Sequence, residues 1–91
     1  MADAMRVDFK DLLIFLRAYR DSSTGLTGGQ VQRQLGWSMK KVYRIRGFCL
    51  EEGLLELDHI APEEAWYQMA SKHYRLTVKG RRLLETMNTD S

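Results

Sequence analysis

Between Thr27 and Gly53 the chain carries two helix starts and two helix stops in close succession, and this punctuation constrains the fold more than any other feature. Thr27 can cap a helix with its hydroxyl, and Gln30 three residues on completes a capping box. Leu26 and Val31 flank that start as a hydrophobic staple. Gly36 is a natural left-handed stop. Ser38 then starts a second helix, stapled by Trp37 and Val42, and Gly53 ends it. Only Gly36 and Trp37 separate the two helices, so they must pack on each other across a tight turn. Gly28 and Gly29 weaken the first turn by about 1 kcal/mol each relative to alanine, which strong capping offsets.

Helical spacing sorts the faces of this unit. Val31 and Leu35 point inward on its first helix, and Val42, Ile45 and Cys49 on its second. At about 100° per residue the opposite face of the second shows Lys40, Tyr43, Arg44, Gly47 and Glu51. Upstream, Phe9, Leu12, Leu13, Leu16 and Tyr19 predict an amphipathic helix. Asp8 caps it, Val7 and Leu12 staple it, and Asp21 to Gly25 break it after Arg20. Downstream, Leu54 to Ile60 partly alternates and predicts a strand. Ala61 to Lys72 reads as a loop or hairpin tip, and His73 to Leu76 as a returning strand. Thr77 caps a last helix with Gly80, Leu83, Leu84 and Met87 inward. Asn88 to Ser91 reads as a frayed tail. The expected class is therefore α+β, mainly α: a three-helix core, a two-stranded hairpin and a C-terminal helix. With 91 residues it forms one domain over 1–91, its core about 8–87 and both ends frayed.

Composition narrows function. The net charge of +2 is unevenly spread. Arg33, Lys40, Lys41, Arg44 and Arg46 outnumber Glu51 and Glu52 in residues 27–53, whereas Glu56, Asp58, Glu63 and Glu64 outnumber Lys72 in 54–72. A basic middle on a near-neutral chain suits a local anionic partner. The single Cys49 excludes an internal disulfide, and no apolar run is long enough to span a membrane. The opening MADAMRVDFKD lacks the features of a signal peptide, so the expectation is a whole, cytoplasmic chain. No nucleophile elbow, phosphate-binding glycine loop or HExxH motif occurs, and no enzyme or cofactor is expected. His59, His73, Asp58, Glu63 and Glu64 match no standard zinc spacing, so no metal site is expected.

Three stretches carry a family resemblance. Leu26-Thr27-Gly28-Gly29-Gln30-Val31 with Leu35-Gly36 is similar to the second helix of winged helix-turn-helix domains. Ser38 through Val42, Ile45 and Cys49 to Glu52-Gly53-Leu54-Leu55 resembles their recognition helix and its exit, with Cys49 where leucine is usual. Tyr74-Arg75-Leu76-Thr77-Val78-Lys79-Gly80 resembles the closing strand and cap of small bacterial and archaeal regulators of the MarR and PadR kind. The resemblance spans roughly residues 9–87. It implies a small sequence-specific regulator of double-stranded DNA, whose third helix (about 38–52) enters the major groove. By position, Ser38, Lys40, Tyr43 and Arg44 would face DNA, Arg44 forking to a guanine. Lys40, Lys41 and Arg46 would neutralise phosphates.

Two features depart from that pattern. Glu63 and Glu64 put acids where a wing near phosphates wants bases, and the long dimerisation helices of larger regulators are missing. Trp66, Tyr67 and Met69 form an apolar cluster beside the acids, read as a homodimer or partner contact. The alternative function is thus a protein-interaction adaptor working through an acidic, aromatic wing. Against each functional assignment stands a plainer one. The basic run suits a solvated face, the loop aromatics suit a cover for the sheet, and Cys49 suits an inert core position.

Overall fold

The computed structural model describes residues 7–62 and 70–89. The elements run α1 (Phe9–Arg20), α2 (Gly28–Leu35), α3 (Met39–Glu51), β1 (Leu55–Pro62), β2 (Ala70–Leu76) and α4 (Val78–Thr89). Each helix start is the one its capping residue dictates. Asp8 accepts from the amides of Lys10 and Asp11, and Ser38 accepts from Lys41. Thr27 and Gln30 close their capping box in both directions, at 3.1 and 2.9 Å. Gly36 stops α2 at φ 71°, a conformation that costs glycine little.

The core is built from one face of every helix and the base of the hairpin. Phe15, Leu16 and Tyr19 meet Val31, Val42, Ile45, Cys49, Leu54, Leu55, Leu76, Leu84 and Met87. Trp37 stacks on Phe15 with ring centroids 6.1 Å apart, which anchors the turn between α2 and α3. α4 docks by backbone contact. The Thr77 hydroxyl donates to the Gly53 carbonyl at 2.5 Å and accepts from the Gly80 amide at 2.9 Å. One side chain thereby caps α4 and ties it to the exit of α3. Arg17 on α1 donates two hydrogen bonds to Asn88 Oδ1, at 2.9 and 3.2 Å, near the end of α4 at Thr89. Asn88 and Thr89, the first two residues of the tail expected to fray, are helical.

Two further expectations need correction. Phe9 is 60% exposed, while Phe15 and Ala18 lie in the core. Phe9 shares the angular face of Leu16, but burial along α1 deepens only towards its C-terminal half. The hairpin is longer than expected: Ala61 pairs with Ser71, and Pro62 with Ala70. The backbone ladder extends past the alternating residues, with Pro62 at the strand end, where a missing N–H is tolerated. A third short piece of sheet joins it, since Leu26 and Tyr74 exchange backbone hydrogen bonds at 2.9 Å each way. That bridge fastens the segment before α2 to β2. Glu63, Glu64, Trp66, Tyr67 and Met69 lie outside the described residues.

Candidate nucleic-acid interface

The outward face of α3 is polar because its inward face is complete. Val42, Ile45 and Cys49 are fully buried, and Tyr43, Arg44 and Gly47 are exposed between them. Burial pushes the Cys49 thiol up to about 12, so no reactive thiolate forms there near neutral pH. At the N-terminal end of α3, Ser38, Lys40, Lys41 and Arg44 line a surface depression of about 220 Å³. Lys40 and Arg44 thus place positive charge near the positive end of a helix dipole, a setting that favours an anion. Among the described residues, no ion pair or hydrogen bond engages the Lys40 or Arg44 side chains.

The other cations of α3 are tied down. Lys41 lies 3.2 Å from the Asp11 carboxylate on α1 and 4.3 Å above the Trp37 ring. Arg46 is half-buried, with its guanidinium 4.7 Å from the centres of both the Tyr43 and the Tyr74 rings. The six residues singled out on α3 therefore fall into two groups. Ser38, Lys40, Tyr43 and Arg44 face outward, with Ser38 also holding its capping bond, while Lys41 and Arg46 bind the helix to its neighbours.

Two residues at this junction were not legible in the sequence. A Cβ at Gly28 would stand 3.2 Å from Arg46 Nη1 and 3.2 Å from the Tyr43 ring, so the absent side chain lets α2 close on α3. Tyr74 belongs to the closing-strand motif, but nothing in that motif points to Arg46. Among the described residues, the buried Tyr19 hydroxyl has no hydrogen-bond partner. Burial pushes its pKa up, opposed by the positive charge of Arg46. Gly47, by contrast, has open space where a Cβ would stand. Gly47→Ala is expected to stabilise the domain by about 0.5–1 kcal/mol through helix propensity. A thermal melt checks this, and lost duplex affinity in the same variant would mean that a backbone approaches there.

The outer face of the hairpin carries a charged network. A β-bulge between Leu57 and His59 breaks the alternation and leaves Asp58 beside His59. Asp58 bonds His59 Nδ1 at 2.5 Å and the Arg75 guanidinium at 2.8 Å, and Arg75 also reaches Glu56 at 2.8 Å. The His59 and His73 rings stack at 4.3 Å. The hydrogen bond from His59, and then the charge and hydrogen bond of Arg75, hold the Asp58 carboxyl below its ordinary 3.8. A depressed folded-state pKa stabilises the fold above the unfolded value and stops doing so as pH falls through the folded one. The stability gap between wild type and Asp58→Asn is therefore expected to shrink below about pH 4, as read by urea unfolding from pH 6 to pH 2. A gap that is constant across that range would remove Asp58 from the acid response. Among the described residues, no group of three His, Cys, Asp or Glu side chains is placed to hold a metal ion.

Three packed helices, a two-helix corner and an antiparallel hairpin returning to a C-terminal helix define a winged helix-turn-helix domain. The fold is similar to that of a crystallised mutant of MepR from a multidrug-resistant S. aureus clinical isolate. The TM-score is 0.66 at 17% identity, over 97% of this chain and 55% of that one. The chain thus spans about half the length of the solved protein it matches. No protein-family model and no curated protein matches the sequence. No helix among the described residues is long and apolar enough to cross a membrane.

Proposed function

We propose that this chain is a sequence-specific, double-stranded DNA-binding regulator that lays α3 in the major groove. The observation that carries the reading is the cationic depression of Ser38, Lys40, Lys41 and Arg44 on the exposed end of α3. A major groove about 12 Å wide admits one helix, and there Arg44 forks to guanine O6 and N7. Lys40 and the first amides of α3 hold a phosphate, which fixes register without reading sequence. Lys41 adds positive potential from a position fixed in the fold. Likeness to a winged-helix regulator supports the class. In this reading the whole chain acts as one domain in the cytoplasm, and a two-fold homodimer reads a palindrome with half-sites one helical turn apart.

A second reading is a protein-interaction adaptor. It is favoured by Leu57 and Ile60, which are 46% and 50% exposed on the hairpin. Enrichment from a pool of random-sequence duplexes at two salt concentrations separates the two. An enriched motif with a steep salt dependence supports the regulator, and a palindromic motif supports the dimer. Salt-sensitive binding with no enrichment makes the chain a DNA-coating protein. No binding at low salt leaves the adaptor.

A further inference from the structure

We propose that Arg46 is a positioning residue: clasped between the Tyr43 and Tyr74 rings, its guanidinium sets the wing (β1–β2) against the recognition helix α3 and does not neutralise a phosphate. What that setting serves rests on the DNA-binding reading above.

Four observations converge on this side chain. Its guanidinium lies 4.7 Å from each ring, one from its own helix and one from β2. A flat, delocalised cation can offer both its faces to aromatic rings, which a lysine ammonium cannot. A third side is closed by α2, since Arg46 Nη1 is 3.2 Å from where a Gly28 Cβ would stand. Tyr74 is itself held, because its backbone exchanges two hydrogen bonds with Leu26 just before α2. Arg46 therefore sits where α2, α3 and the wing meet, and joins pieces far apart in sequence. Lys40 and Arg44 instead line the open depression.

The two roles give different salt behaviour. A side chain that contacts a phosphate contributes about 0.9 to the slope of log affinity against log salt. A side chain that only sets geometry lowers affinity at unchanged slope. Arg46→Met keeps the length of the side chain and removes both charge and plane. In the 91-residue chain it is expected to weaken binding to an enriched duplex about tenfold, with the wild-type slope. A slope shallower by about 0.9 would overturn the proposal. Arg46→Lys keeps the charge and is expected to retain the defect, whereas full rescue by lysine would mean that charge alone matters. Tyr74→Leu should copy the defect, and the double variant should be no worse than either single one. Additive losses count against the clasp.

Hydrogen exchange on the free protein gives an independent reading. The amides of Leu26 and Tyr74 are expected to exchange about tenfold faster in Arg46→Met, and those of Leu16 and Leu84 at the wild-type rate. Unchanged exchange at the bridge overturns the clasp whether or not DNA binds. Should the methionine variant fail to fold, Arg46→Lys carries the same exchange measurement. A wild-type chain that binds no duplex sinks the DNA reading alone, and the exchange result still decides the clasp.

Discussion

Gly80→Ala is expected to be severely destabilising even though it adds only one methyl group. A Cβ there would overlap the Leu54 carbonyl oxygen and lie 3.1 Å from its carbon and 3.3 Å from its Cα. All three are backbone atoms, so no rotamer change relieves the overlap. Leu54 is fixed in turn, with its side chain buried, its amide bonded to Cys49 and its carbonyl accepting from Thr77. α4 would have to move off the base of the hairpin, taking Leu84 and Met87 out of the core and straining the Arg17–Asn88 bond. Overpacking costs typically 1–3 kcal/mol, and a rigid backbone neighbour places this case near the top, at about 3 kcal/mol. For a domain this small that is a fall in Tm of roughly 12–24 °C. Thermal unfolding followed by circular dichroism measures it, and a loss below 1 kcal/mol would mean that α4 packs more loosely than described. Thr77→Val at the same joint removes a cap and a tether, and is expected to cost less, about 1 kcal/mol.

Arg44→Ala carries the largest expected effect on function. A bidentate arginine–guanine contact discriminates against a wrong base by about 1–3 kcal/mol, or roughly 5- to 150-fold. The variant should lose that preference at one position of the enriched site and still bind other duplexes. Lys40→Ala should behave differently, weakening all sequences about equally and reducing the salt slope by about 0.9. Lys41→Ala tests the same idea less cleanly, because it also strips the Asp11 pair and the cover of Trp37. Competition binding against single-base variants of the site separates these outcomes. An Arg44→Ala variant with wild-type specificity removes this residue from base readout.

Most of the fold was readable because its signals are local. Asp8, Thr27 and Ser38 cap the next few amides, and Gly36 needs only its own backbone to turn left-handed. These effects act within one helical turn, and here each agrees with the tertiary fold. The hairpin was less readable. Its bulge at Asp58 breaks the two-residue period by which strands are recognised, and its outer pairs are made by backbone atoms, which leave no mark on side-chain choice.

The candidate face was readable in outline and not in detail. The run of bases on α3 is visible in the sequence, and so is the spacing that turns Lys40, Tyr43 and Arg44 outward. Which of those bases have partners inside the fold depends on residues far away along the chain. Asp11 on α1 takes Lys41, and Tyr74 on β2, with room made at Gly28 on α2, takes Arg46. Helix starts, stops and faces follow from short-range capping and periodicity, so the residue order dictates them. The partner of a charged side chain depends on which elements come within about 5 Å in space, and that distance exists only once the core has closed.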